Sequence, residues 1–296
     1  MKIVLFGKNG QLGWELQRLL PAFGTLTTLD REELDLANPA AVRDYLLAAR
    51  PHLIVNASAY TEVDRAETLP ELALAVNAAS PGAMAGAARE LGAGFVHYST
   101  DYVFDGTATR PYVETDAPHP LNEYGRSKLA GEQAVQAAGG AHFIFRTSWV
   151  YSLRGNSFVN KVLGWARQHT TLKVVDDQIG SPTWARLLAE ATIHALTPAD
   201  ATPLFNWMRD RAGLYHLTGA GSASRFEWAR AILARDPHPT EQRVQTIEPV
   251  ASLEFPTPAT RPLYSVLDCS KFSRTFHLTL PPWEDSLTAA MTSPAD

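Results

Sequence analysis

Lys2-Ile3-Val4-Leu5-Phe6-Gly7-Lys8-Asn9-Gly10-Gln11-Leu12-Gly13 opens the chain, an apolar, β-rich run that stops at three glycines spaced three apart. Leu12, Leu16 and Leu19 or Leu20 follow at helical spacing, so the stretch reads as strand, glycine turn, helix. Such a turn needs glycine for positive φ and for close backbone approach to a pyrophosphate, whose charge sits at the positive helix N-terminus. A turn whose glycines serve packing alone is the plainer reading. Position directly after an N-terminal strand favours dinucleotide binding through Gly7, Gly10 and Gly13.

Outward from this stretch the pattern repeats. Leu26–Leu29, Leu53–Asn56, Gly94–Ser99 and Phe143–Thr147 read as further strands, alternating with helical periodicity over Gln11–Leu20, Pro39–Arg50, Glu71–Leu91 and Tyr124–Ala137. Asn38-Pro39 is a cap followed by proline at the first helical position. Alternation of this kind predicts an α/β fold, a Rossmann-type doubly wound parallel sheet with right-handed crossovers. Past about residue 150 the regularity breaks at the proline-rich stretches Thr197–Pro203, Asp236–Pro239 and Pro249–Pro262. Two lobes are expected: residues 1–150 as a dinucleotide-binding Rossmann domain, and residues 151–296 mainly as a smaller, irregular substrate-binding lobe. Segments from about 172–196, Leu172–Val175 and Thr183–Leu196, are expected to return to the main sheet.

Composition narrows the function. The chain has 296 residues, 45% of them hydrophobic, enough for a packed core. Its net charge of -5 argues against a nucleic-acid partner, since phosphate-backbone binding relies on cationic surface. Ile3–Phe6 is far shorter than a signal-peptide core or a membrane span, so a cytoplasmic protein without a membrane partner is expected. Cys269 is the single cysteine, which rules out an intrachain disulfide and a cysteine-rich zinc site. No histidines stand in His-Glu-x-x-His spacing, and no catalytic metal is expected.

Candidate site residues cluster at the ends of the expected strands. Asp30 closes the second strand about 20 residues after the glycines, where a carboxylate hydrogen-bonds the adenine ribose and favours NADH. Arg31 beside it suits the 2′-phosphate of NADPH, so either cofactor is expected. Asp35 and Leu36 lie where a loop touches the adenine, and Ala59, Tyr60 and Thr61 follow the third strand at the ligand-binding edge. Tyr124 and Lys128, four apart, share one helix face. The ammonium stabilises phenolate and brings the phenol nearer working pH as a general acid. Alone, the pair reads as an ordinary surface contact; its context reverses that. His97-Tyr98-Ser99-Thr100-Asp101-Tyr102-Val103-Phe104 is an apolar strand ending in hydroxyls. There Thr100 either holds a substrate carbonyl beside Tyr124 or satisfies backbone groups at the strand end.

These segments, in this order, resemble the extended short-chain dehydrogenase/reductase family, and within it the branch that reduces 4-keto deoxysugars carried on a nucleotide. The likeness runs through Phe6–Gln17, Val55–Ala59, Ser99–Phe104, Pro120–Gly125, Phe145–Tyr151, Asp177–Thr183 and Pro256–Pro262, nearly the whole chain. It implies Thr100, Tyr124 and Lys128 as catalytic residues, with Gln11, Leu12, Asp30, Asp35, Leu36, Ala59, Tyr60, Thr61 and Tyr98 near the dinucleotide. Thr100, Asp101 and Trp149 fall at its substrate-contact positions, and Asn156, Phe158 and Asn160 follow where relatives touch the nucleotide sugar. The implied reaction is NADPH- or NADH-dependent reduction of dTDP-4-dehydro-L-rhamnose to dTDP-L-rhamnose, with a homodimer and a Mg²⁺ ion at its contact as features of some members. A nucleotide-sugar substrate needs a cation for its diphosphate, and Arg261, in a proline frame, is the preferred candidate; an arginine bracing an irregular loop is the alternative. Competing readings on the same scaffold are a sugar-nucleotide 4-epimerase or epimerase-reductase, and a non-catalytic NADP-binding regulatory subunit.

Overall fold

Lys2–Phe6 forms the strand its sequence predicts and pairs in parallel with Thr25–Leu29 on one side and Leu53–Asn56 on the other. The computed structural model describes residues 1–292. Its main sheet has six parallel strands in the order Gly213–His216, His142–Thr147, Gly94–Thr100, Leu53–Asn56, Lys2–Phe6, Thr25–Leu29. Ile3 and Leu5 enter one apolar cluster and Val4 and Phe6 the other, the period of two expected of a strand covered on both faces. Helices Gln11–Leu19 and Ala185–Ala195 cover the first face; Pro39–Ala49 and Ser80–Leu91 cover the second. The α/β doubly wound architecture is therefore as expected. Strand order reverses beside Lys2–Phe6, and ligands of such sheets bind at the carboxyl ends of the strands at that crevice.

Several elements depart from the sequence pattern, each for a local reason. Glu71–Leu91 is not one helix: Pro70–Leu74 and Ser80–Leu91 are joined by a π turn, Ala75–Ala79. Pro81 has no N–H for the Asn77 carbonyl, and the backbone widens just before it. Thr171–Val175 does not reach the main sheet but pairs in parallel with Thr246–Val250. Its alternating burial, with Leu172 and Val174 inward, suits a half-exposed ribbon and not a sheet buried on both faces. Ala185–Ala195 does return, packing on the main core. Gly213–His216 supplies a sixth strand that its four residues were too short to announce. A separate cluster containing Tyr151, Val159, Val162, Trp228 and Leu287 forms the core of the second lobe.

Helix Glu123–Ala138, which carries Tyr124 and Lys128, is fixed at both ends of its first three turns. Asn122 caps it, accepting from the Gly125 amide at 2.8 Å, while its own amide nitrogen donates to the Thr260 carbonyl at 2.8 Å. Two turns on, Glu132 makes a bidentate pair with Arg146 at 2.8 and 2.6 Å, both side chains buried. This pair anchors the helix to strand His142–Thr147. Removing one partner of a buried pair leaves an uncompensated charge, so Glu132→Ala is expected to lower stability by about 3–5 kcal/mol. Urea unfolding of both proteins measures it, and an unchanged midpoint would contradict the anchoring role.

Candidate active site

A cleft of about 770 Å³ opens at the carboxyl ends of the strands, where the strand order reverses. Gly7 turns the chain with φ 88°, and a Cβ on Gly13 would lie 1.8 Å from the Gly7 carbonyl oxygen, so only glycine lets the helix start this close. Gly7, Gly10, Gln11 and Leu12 line the cleft; Gly13 stands behind them as the packing glycine. Helix Gln11–Leu19 has no side-chain cap, so its first amides are open to an anion. Four polar atoms on the cleft wall, Gln11 Oε1, Tyr60 OH, Ser99 Oγ and Thr147 Oγ1, are buried without a partner. Buried polar groups are ordinarily satisfied, so this wall fits a large polar ligand such as a dinucleotide.

Asp30, Arg31, Asp35, Leu36, Ala59, Tyr60 and Thr61 all line this cleft. Asp30 accepts from the Asn9 amide at 3.1 Å and the Arg31 amide at 2.7 Å, which orients its carboxylate at the end of the second strand. Arg31 is exposed and lies 3.8 Å from Asp35, a loose pair that leaves the guanidinium free to turn. Asn77 holds the Tyr60 loop by two backbone hydrogen bonds and reaches Ser127 on the Tyr124 helix at 2.9 Å, joining the two cleft walls.

Tyr124, Lys128, Thr100 and Asp101 meet at the inner end of the cleft. Lys128 is buried, and its ammonium donates to the Tyr98 carbonyl at 2.6 Å. Burial pushes its pKa down to about 8, opposed by the charge of Glu132. Tyr98 itself turns its hydroxyl into the core, 2.7 Å from Thr192 Oγ1. Burial drives the Tyr124 phenol well above its ordinary pKa, with the Thr100 hydroxyl pulling the other way. Lys128 is not among the groups that move it, so the sequence-based expectation of a phenol brought toward working pH by the lysine is not met in this geometry. Tethered to the Tyr98 carbonyl, the ammonium does not offset the phenol's desolvation.

Asp101 differs from a simple substrate contact. Its carboxylate, buried, accepts from Thr100 Oγ1 at 3.0 Å, Ser148 Oγ at 2.9 Å and Ser265 Oγ at 2.5 Å. Burial raises its pKa while these three hydroxyls lower it. Thr100 also accepts from the Tyr102 amide at 3.2 Å, the backbone-satisfying role of a strand-end hydroxyl.

Trp149 lines the same cleft in a left-handed backbone conformation, φ 45°, which is costly for a bulky residue. Its ring lies against Gly180, where a Cβ would come within 2.5 Å, and stacks on Trp228 at 5.5 Å. The Arg225 guanidinium sits 3.5 Å over the Trp149 ring and makes no ion pair with a carboxylate among the described residues. It borders a second cavity of about 1100 Å³, shared with Phe158 and Arg261. Arg261, by contrast, is held by Asp64 at 3.0 and 2.8 Å and by the Ala259 carbonyl at 2.8 Å, the bonding of a loop brace. Sequence reading missed Arg225, whose only signal was a basic residue at the start of a helix. Asn156 lines the first cleft, whereas the Asn160 amide braces the loop before its helix through Leu153 and Gly155. Among the described residues no group of three or more His, Cys, Asp or Glu side chains is placed to hold a metal ion, and no helix is long and apolar enough to cross a membrane.

A glycine turn under the crevice, with a tyrosine and a lysine one turn apart beside it, defines a Rossmann-type fold of the short-chain dehydrogenase/reductase kind. The chain belongs to the RmlD substrate binding domain family, whose model matches residues 1–295. It is 47% identical over 290 residues to a dTDP-4-dehydrorhamnose reductase of Salmonella typhimurium, covering 96% of this chain and 95% of that one. The crystal structure of a dTDP-4-dehydrorhamnose reductase from Clostridium acetobutylicum superposes with a TM-score of 0.88 at 35% identity, covering 98% of each chain. One from Bacillus anthracis, in complex with NADP, gives 0.87 at 36% identity and the same coverage.

The buried lysine has a thermodynamic signature. Its pKa falls from 10.5 unfolded to about 8 folded, so between those values the unfolded chain binds the extra proton. Stability owed to this group is lowest below pH 8 and rises as pH climbs through the window, by about 3 kcal/mol in all. Relative to Lys128→Met, the wild-type protein should therefore gain stability from pH 7 to pH 10. A stability difference independent of pH would mean that the ammonium is solvated.

Proposed function

We propose that the chain reduces the 4-keto group of dTDP-4-dehydro-L-rhamnose to dTDP-L-rhamnose, with NADPH or NADH as reductant. The observation that carries this reading is the convergence of Tyr124, Thr100 and Lys128 on the cleft headed by the glycine turn. The reductases named above, similar over nearly the full chain, support the substrate; the NADP-bound Bacillus anthracis structure supports the cofactor.

A nicotinamide held in this cleft would supply hydride to the sugar C4. Lys128 has three N–H donors and gives one to the Tyr98 carbonyl, which leaves two for ribose hydroxyls. Tyr124, kept protonated by burial, is in the state a general acid requires and donates to the ketone oxygen. With Asp101 ionised, Thr100 gives its single proton to that carboxylate, so the phenol proton rests on Thr100 Oγ1 until the ketone oxygen replaces the threonine as its acceptor. Trp149, backed by Arg225 and Trp228, forms the wall on the sugar side. Arg225, hydrogen-bonded to Tyr102 but in no carboxylate ion pair among the described residues, is the cation for the substrate diphosphate, and Arg261 shapes the loop beside it. Asp30 serves the adenine ribose and Arg31 a 2′-phosphate when NADPH is used.

Purified protein with the keto-sugar should consume one NAD(P)H per product, whereas a 4-epimerase would consume none and a regulatory subunit would make no product. Tyr124→Phe should lower kcat by about 10²-fold or more while leaving dinucleotide affinity nearly unchanged. Near-normal turnover in that variant refutes the assignment. Arg225→Ala should raise the substrate KM by roughly 10-fold or more, the scale of a lost charge-assisted hydrogen bond, with a smaller change in kcat. An unaltered KM would remove Arg225 from the diphosphate site.

A further inference from the structure

Arg154 stands on the cleft wall with no part in the chemistry derived above. It lies in the loop between strand Val150–Tyr151 and helix Phe158–Gln168, beyond the Rossmann half of the chain. The loop is pinned. Ser152 Oγ accepts from the Arg154 amide at 3.2 Å and donates to the Arg154 carbonyl at 2.9 Å. The Asn160 amide nitrogen donates to the carbonyls of Leu153 at 3.0 Å and Gly155 at 2.8 Å, and Gly155 takes φ 66° to close the turn. These bonds fix the backbone from which the exposed Arg154 side chain extends, and its contact with Trp14 gives that side chain its direction.

Its guanidinium lies flat against the first helix. Arg154 Cζ is 3.5 Å from the centre of the Trp14 ring, and no carboxylate among the described residues pairs with it. Trp14 belongs to the opening turn of Gln11–Leu19, about 6 Å along the axis from Gly10. Side chains on a helix lean toward its N-terminus, so the ring carries the cation toward the open amides after Gly10. With one face of the guanidinium on the indole, its N–H edges remain for an acceptor in the cleft. Of the other cations of this region, Lys8 pairs with Glu33 and Lys128 is hydrogen-bonded to Tyr98, while Arg31 stands at the adenine end of the cleft beside Asp35.

We propose that Arg154, stacked on Trp14, is a cofactor-binding residue that closes over the pyrophosphate of the dinucleotide from the side opposite the glycine turn. The inference rests on the reading that the cleft takes NADPH or NADH. Glycine-turn amides neutralise a pyrophosphate only in part, since a helix N-terminus carries about half a unit charge and the ligand group is a dianion. A guanidinium opposite those amides supplies the missing charge and two directional donors.

The pyrophosphate is common to NADH and NADPH, and this gives the test. Dissociation constants of the full-length protein are measured by calorimetry for NADPH, NADH, ADP-ribose and adenosine 2′-monophosphate, which has the adenine end without a pyrophosphate. Arg154→Ala should weaken the first three alike, by about 10- to 100-fold, the range of a charge-assisted hydrogen bond. It should leave adenosine 2′-monophosphate within about twofold. Arg154→Lys keeps the charge but loses the planar stack and should fall between, as should Trp14→Leu. Unchanged affinity for all three dinucleotide-type ligands in both arginine variants overturns the proposal, as does a loss shared equally by adenosine 2′-monophosphate. Wild-type protein that binds neither NADPH nor NADH would instead bring down the cofactor reading on which the proposal stands.

Discussion

A lysine ammonium held away from water beneath a tyrosine is the constraint on which this site depends. Burying Lys128 is unfavourable, and the protein compensates it with one carbonyl, that of Tyr98, and with the field of Glu132 one helical turn further on. Glu132 is in turn fixed by Arg146 on the neighbouring strand. The position of the cation is thus set by the sheet, through a chain of contacts that passes from His142–Thr147 to the helix and up to the cleft. Tyr124 inherits its place from the same helix, and its high pKa from the same exclusion of water.

Much of this was legible in the sequence because the determinants are local. Lys2–Phe6 followed by spaced glycines dictates strand, turn and helix whatever lies around them, and Asn38-Pro39 starts its helix as a cap does, accepting from Ala41. Apart from Gly13, the residues named for the cofactor line one cleft, most of them because they follow strand ends that a parallel sheet brings to one edge. What depends on tertiary contacts was not legible. Gly213–His216 is too short to show a period, and the π turn before Pro81 needs knowledge of where the helix continues. Thr171–Val175 shows the alternation of a half-buried strand, but only the fold reveals Thr246–Val250 as its neighbour.

The two arginines illustrate the same limit. Arg261 drew notice from its proline frame, yet the rigidity of that frame comes from Asp64, 197 residues earlier in sequence, gripping the guanidinium. Arg225 has no sequence context to recommend it, and only the fold reveals a cation packed among Trp149, Phe158 and Trp228. Asp101 is similar: a carboxylate beside a site threonine suggests substrate contact, whereas the serines that engage it come from positions 148 and 265. Charges can be counted in a sequence; their partners cannot.

Asn122 joins two things that a designer would wish to keep apart. One amide side chain both starts the helix of Tyr124 and fastens the Thr260 segment that borders the second cavity. On the proposed reading, in which Arg225 and the loop beside it meet the substrate diphosphate, remodelling that segment pulls on the same residue that starts the helix of Tyr124. On that same reading substrate range and proton delivery are mechanically linked, and a change made in the loop has to be matched at the helix start.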